Sequence, residues 1–261
     1  MDEEIQRSID EIEASEDVTI LYACESGSRA WGFHSQDSDY DVRFIYIHPP
    51  DWYLAIDLEK KRDVIERPIL DDLDVSGWDL RKSLQLFRKS NPPLLEWLDS
   101  PIVYRDRFDV AARLRQLAEE IHSPIACGYH YLNMARGNYR EFLLGETVKL
   151  KKYFYVLRPL LAVLWIERGY GLVPMRFDAL VDRIIEDDEI RGRIDELLER
   201  KSAGKEVDLG PKIPMINEYI EREFARLEAT SFQKSPPLPP SETLNLYFRE
   251  LLEQVYPRER S

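Results

Sequence analysis

The sequence predicts a mixed α/β half up to about residue 105, followed by an all-helical half. Three observations carry this. Short apolar runs, punctuated by turn residues, crowd the stretch before Asp79. The apolar period turns helical at Asp79. Almost every segment after Arg105 keeps that helical period. At 261 residues the chain has room for one large or two modest domains. Its 44% hydrophobic and 33% charged residues predict a globular protein with a real core.

Each element follows from local pattern. Ile5, Ile9 and Ile12 recur at helical spacing within residues 3–15. Val18 to Cys24 reads as a buried strand, and Asp41 to Ile47 as a second, with Val42, Phe44 and Tyr46 opposite Asp41 and Arg43. Pro49 and Pro50 end it. Residues 51–62 fit no single pattern. Val64 to Ile69 and Leu70 to Gly77 read as two further strands. Asp79 is a plausible N-cap for a helix carrying Leu80, Leu84 and Phe87, which Asn91-Pro92-Pro93 stops. A short helical turn spans Leu94 to Leu98. Helices are then expected over 106–122, 125–143, 146–168, 177–200 with a break near Asp187, 213–227 and 241–255. Breaks fall at Ser123-Pro124, Gly145, Gly169 to Pro174, Ala203-Gly204 and Gly210-Pro211, and a proline-rich linker covers 230–241. The two halves are expected to pack together around a cleft.

Composition excludes several classes of function. A net charge of −13 argues against broad nucleic-acid binding, which needs a positive surface, while leaving room for a local basic groove. No apolar stretch approaches the roughly 20 residues of a membrane span. The acidic start, Met1-Asp2-Glu3-Glu4, lacks the basic and apolar regions of a signal peptide, so a cytoplasmic protein is expected. Cys24 and Cys127 stand far apart and form no Cys-x-x-Cys pattern, and are expected to be buried thiols.

The chemistry concentrates between residues 27 and 41. A Gly27-Ser28 turn follows the first strand, and ten residues later Asp39 and Asp41 enter the second. Alternation along a strand would put both carboxylates on one face. Such a pair repels itself unless a cation sits between, and hard oxygen ligands favour Mg²⁺ or Mn²⁺. Free backbone N–H groups at the Gly-Ser turn can hold a phosphate. Two rival motifs fail. Gly27 and Gly32 have P-loop spacing, but Phe33 and His34 stand where Lys and Ser/Thr are required. Asp37, Asp39 and Asp41 resemble the start of a calcium loop, but its sixth and twelfth positions would be Val42 and His48 instead of Gly and Glu.

Gly27-Ser28, ten residues, then Asp39-Tyr40-Asp41 is similar to the signature of the polymerase-β-like nucleotidyltransferase superfamily. Further stretches, Asp74 to Lys82, Asn91 to Leu98 and Lys149 to Trp165, resemble the RNA-ligase-associated predicted nucleotidyltransferases, a YcgL-like group. The resemblance runs over nearly the whole chain. It implies an α+β (α/β) nucleotidyltransferase domain with a mixed sheet at 1–105, then a helical domain at 106–261 that completes the nucleotide and acceptor cleft.

It also implies roles. Asp39, Asp41 and a third acid would bind Mg²⁺ or Mn²⁺ and catalyse transfer of a nucleotide from a nucleoside triphosphate, ATP foremost, to a hydroxyl. Asp72, Asp74 and Asp79 compete for the third position. The family pattern favours Asp74, which lies in the apolar run, whereas capping explains Asp79. Gly27 and Ser28 would hold phosphates, with Arg29 beside them. Lys151, Tyr155 and Arg158 share one helical stripe and would offer two cations and a ring to the nucleotide, the resemblance favouring Lys151 over Lys152 as the phosphate lysine. Asp37 is expected in a turn, and Asn91 and Glu96 at a helix junction. His130 and Tyr131 are candidates for the acceptor site. Trp31 and Phe33 could stack on a base or fill the core. The group's link to RNA ligases points to an RNA end as acceptor, with a small molecule or protein side chain as alternatives. The competing function is a nucleotide-binding or antitoxin-like scaffold without turnover.

Overall fold

The computed structural model describes residues 1–69, 72–203, 209–230, 232, 234 and 236–257. Among these, a five-stranded sheet runs in the order β3-β4-β2-β1-β5, formed by β1 (Thr19–Glu25), β2 (Tyr40–Ile47), β3 (Val64–Glu66), β4 (Leu73–Asp79) and β5 (Val103–Asp106). Strands β2 and β4 are parallel and the other neighbours antiparallel, so the sheet is mixed.

Alternation sorts the strand residues between two faces. Val42, Phe44 and Tyr46 join Val75 and Ile20 under α1 (Asp2–Glu16), whose Ile5, Ile9 and Ile12 are all buried there. Each such isoleucine contributes about 1.5–3 kcal/mol of burial. Ile45 and Ile47 face the other way, where Tyr53 of the short α3 (Pro50–Tyr53) also packs. They pack with Leu80, Leu84 and Phe87 of α4 (Leu80–Arg88), with α5 (Pro92–Leu98), and with α6 (Val110–Ile121). A register shift between Ile20 and Tyr22 turns Leu21 and Tyr22 together toward this second face. Gly77 sits opposite Phe44, and a β-carbon there would fall 2.3 Å from the Phe44 ring.

Five further helices build a second core. It draws on α7 (Pro124–Phe142), α8 (Lys152–Glu167), α9 (Phe177–Ile184), α10 (Asp188–Ser202) and α11 (Pro214–Leu227). Helix α8 is apolar on nearly every side and lies at its centre, as such a helix must. Pro159 inside α8 has no N–H for the carbonyl of Tyr155. Asn138 of α7 supplies the missing donor, its Nδ2 lying 2.7 Å from that oxygen.

Several expectations need correction. The stretch 146–168 is not one helix. Thr147–Lys149 forms β6, paired with β7 (Leu209–Pro211), and α8 begins at Lys152. The pairing partner is some 60 residues away, beyond the reach of local periodicity. Strand β5 replaces the start of the helix expected from 106. Helix α6 and the last helix, α12 (Glu242–Val255), fall in the helical half by sequence but pack on the sheet, through Leu114, Leu244 and Leu251. A boundary at 105 therefore does not separate the two cores. The strand expected from Leu70 starts at Leu73, and Leu70 itself, like the break at Gly204, lies outside the described residues. Part of the 230–241 linker lies outside them too. The two cysteines are buried free thiols, with burial pushing Cys24 up to about 12. No helix among the described residues is long and apolar enough to cross a membrane.

Asp79 caps α4 by accepting from the Arg81 N–H at 2.8 Å, and takes the Tyr53 hydroxyl at 2.6 Å. Burial pushes its carboxyl from 3.8 up to about 6. The folded state thus holds this proton more tightly than the unfolded chain does. The resulting stabilisation is full below pH 4 and is lost as pH rises to about 6, by about 3 kcal/mol for a shift of this size. Denaturant melts of Asp79→Asn should lose that slope between pH 4 and 6, while the wild type keeps it.

Candidate active site

Strand β1 delivers the chain to Glu25 on the buried side of the sheet. The backbone then turns sharply into α2 (Gly27–Trp31). Gly27 adopts φ +57°, and a β-carbon on it would fall 1.9 Å from Oδ2 of Asp41. Only glycine permits both the left-handed backbone and this approach. The Ser26 N–H donates to the Asp41 carbonyl at 2.8 Å, fixing the turn against β2. Ser28, the next residue of α2, therefore lies beside the acidic edge.

Asp41 and Asp74 are partners across the parallel pair β2 and β4. Both project to the face of the sheet that carries Ile45 and Trp78. Of the three candidates for the third acid, Asp74 is the one beside Asp41. Asp72 precedes β4 with φ +65° and uses its carbonyl to hold the Tyr40 N–H at 2.7 Å. Asp79 is at the far end of β4, capping α4.

Between the two carboxylates lies Arg43. Its Nη2 is 3.0 Å from Asp41 Oδ1 and 2.7 Å from Asp74 Oδ2. Burial pushes the Asp41 carboxyl up. Arg43 pulls it back, and the charges of Asp74 and Asp39 add to the rise. Beneath Asp41, the fully buried Glu25 accepts its backbone N–H at 2.8 Å and the Tyr104 hydroxyl at 2.5 Å.

Asp39 is not on the strand, where the alternation argument puts it. The strand starts at Tyr40, so Asp39 belongs to the loop before it, exposed but within electrostatic reach of Asp41. Among the described residues no three His, Cys, Asp or Glu side chains converge as a metal-binding group. Arg29 holds the loop: its guanidinium donates to the carbonyls of Ser38 at 2.7 Å and Asp39 at 3.2 Å, and lies 3.6 Å from the Tyr40 ring centroid. Its contacts fix the position of Asp39. Asp37 is exposed in the turn of the same loop.

The helical half meets α2 through α8. Tyr155 is 39% exposed and stands edge-on to Trp31 at 5.9 Å. Burial raises its hydroxyl, and the charges of Asp41 and Asp39 raise it further. Lys152 lies over the Tyr155 ring at 4.4 Å. Lys151 occupies the position preceding α8, close enough to Lys152 for their charges to interact.

Arg158, expected as a phosphate cation on the same stripe, is turned inward. It is 2% exposed and pairs with Glu96 of α5 at 2.5 Å. Glu96 also accepts the Tyr131 hydroxyl at 2.7 Å. Tyr131 is thus part of a buried network instead of an acceptor site, and Glu96 ties α5 to α7 and α8. Asn91 does cap α5, accepting from the Leu94 N–H. His130 is half-buried near Lys89. Phe33 stacks on Phe154 in the helical core, while Trp31 spans from Arg158 beneath it to the exposed Tyr155.

Sequence reasoning overlooked Arg43 and Glu25. Position 43 shares the face of Asp41, so a cation two residues beyond a strand acid was a readable signal. A glutamate closing an apolar strand was another.

These donors fit a hard divalent cation. They are all oxygens, and two of them are aligned by strand register, while Arg43 competes for one oxygen of each carboxylate. A family profile described as RlaP, RNA repair pathway DNA polymerase beta family, matches residues 1–250. The Bacillus subtilis (strain 168) protein named "Uncharacterized protein YcgL" is 51% identical over 255 residues, covering 96% of this chain and 97% of its own. A nucleotidyltransferase-like protein of solved structure from Exiguobacterium sibiricum 255-15 aligns at 14% identity and a TM-score of 0.32, over 96% of this chain and 80% of its own, a likeness too slight to transfer fold or function. With the profile spanning nearly its full length, the chain belongs to the RNA repair pathway DNA polymerase beta family.

Proposed function

We propose that the protein is a divalent-cation-dependent nucleotidyltransferase acting in the cytoplasm. It moves a nucleoside monophosphate from a nucleoside triphosphate, ATP first among them, to a hydroxyl acceptor and releases pyrophosphate. The observation that carries this reading is the Asp41–Asp74 pair, side by side on β2 and β4 with the Gly27 turn packed against it.

Mg²⁺ or Mn²⁺, held by Asp41 and Asp74 with Asp39 from the adjoining loop, would neutralise the triphosphate oxygens and polarise the α-phosphorus. Backbone N–H groups at Gly27 and Ser28 hold the terminal phosphates. Lys151 adds positive charge from the opposite wall, and Tyr155 lines the pocket for the base. Asp74 receives the proton of the acceptor hydroxyl as its oxygen bonds to the α-phosphorus and the bridging bond to the β-phosphate breaks. The protein contributes position and charge, which is what phosphoryl transfer demands.

The family's description favours an RNA end as acceptor, and the net charge of −13 favours a short one. The test is incubation with Mg²⁺ and each α-phosphate-labelled nucleotide in the presence of RNA, small-molecule and protein acceptors. Label should enter the RNA fraction with stoichiometric pyrophosphate. Tight nucleotide binding with no label in any fraction would leave a non-catalytic binding module instead.

A further inference from the structure

Arg43 touches both acids in a specific way. It takes a single oxygen from each carboxylate, Oδ1 of Asp41 and Oδ2 of Asp74. Oδ2 of Asp41 is left facing Gly27. The other arm of the guanidinium is anchored to backbone, with Nη1 donating to the carbonyls of Val42 at 3.1 Å and Asp74 at 3.0 Å. The fork therefore spans both strands through four acceptors, which a lysine ammonium cannot match. Holding the strands together does not require it. Parallel pairing already joins β2 and β4 from Tyr40 to Tyr46, and a largely buried ion pair adds little net stability.

We propose that Arg43 is the positioning residue of the acid pair. It clamps one oxygen of each carboxylate, directs Asp41 Oδ2 toward the Gly27 turn, and holds down the affinity for a free divalent cation, so that the site fills mainly with the cation that a triphosphate brings. This rests on the reading of Asp41 and Asp74 as cation-binding acids. A guanidinium this close cancels one unit of their negative charge, and a bare cation gains less on entry. A nucleotide carries its own negative charge into the site and offsets that loss.

Arg43→Gln and Arg43→Lys in the full chain test this. Mn²⁺ binding is followed by electron paramagnetic resonance, with and without a non-hydrolysable triphosphate, and turnover is measured alongside. Without nucleotide, Arg43→Gln should bind Mn²⁺ about 3- to 10-fold tighter than wild type, the scale expected when one nearby charge is removed from a partly solvated site. Its turnover should nonetheless fall by at least about 10-fold, because the carboxylates are no longer oriented. Arg43→Lys keeps the charge and loses the fork, so its Mn²⁺ affinity should stay within about twofold of wild type while its turnover also falls. A brace that served only the fold would not tighten cation binding. Equal or weaker Mn²⁺ binding by Arg43→Gln, or undiminished turnover in Arg43→Lys, overturns the clamp alone. A wild type that binds no Mn²⁺ with or without the triphosphate overturns the reading of the acids, and the clamp with it.

Discussion

Asp41→Asn should abolish nucleotide transfer and leave the protein at least as stable as before. Asp41 is the acid held most tightly from every side. Its backbone is fixed by Glu25 and Ser26, one carboxylate oxygen is bound by Arg43, and the other lies against Gly27. The neutral amide keeps this shape and loses the charge. Removing one preorganised charge from such a site costs roughly a hundred- to a thousandfold in rate, and a ligand shared with a bound cation should lie at the upper end. Stability moves the other way. Burial and two neighbouring acids disfavour the ionised Asp41 carboxyl, so a neutral residue relieves a cost that folding carries for function. Label transfer from an α-phosphate-labelled nucleotide, paired with a thermal melt, reads both effects. Asp39→Ala should also lose most of its activity. Near-normal transfer by either variant would remove the acids from the chemistry.

Glu96→Ala should destabilise the fold by about 3–5 kcal/mol, the cost of leaving a buried charge without its partner. For a chain of this size that corresponds to a fall on the order of 10 °C in melting temperature. Arg158 is 2% exposed, and Glu96 supplies its carboxylate at 2.5 Å. What remains around it are the carbonyls of Met175 at 3.1 Å and Pro174 at 3.5 Å, the Met175 sulfur at 3.9 Å and the face of Trp31 at 4.9 Å. The Tyr131 hydroxyl loses its acceptor at the same time. Replacing both charges with apolar residues, Glu96→Leu with Arg158→Met, should recover much of the loss, since the unpaired charge is then gone. Equilibrium denaturation of the single and double variants decides this. Little loss in the single variant would show that water reaches Arg158 and that the pair is not the junction between α5 and α8.

Much of the architecture could be read from the chain. The isoleucines of α1, the alternation in β2 and the helical period from Asp79 onward are local signals, and local backbone preference follows them. Strand β5 was not readable in the same way. Val103-Tyr104-Arg105-Asp106 has no apolar alternation and is a strand because β1 needs a partner on its outer edge. The ribbon of β6 and β7 likewise exists by pairing between distant segments.

The sequence by itself determined the Gly27-Ser28 turn, the acids entering β2 and the change from mixed α/β to helical pattern, because each depends on residues a few positions apart. Tertiary structure alone put Asp74, and not Asp72 or Asp79, beside Asp41, since parallel register sets which β4 residue faces it. It also left Asp39 in the exposed loop just ahead of β2, inserted Arg43 between the two carboxylates and sank Arg158 into a buried ion pair. Spacing along a helix or strand says which residues share a face, but only the packing of distant segments decides whether that face meets a cleft, a partner charge or the interior.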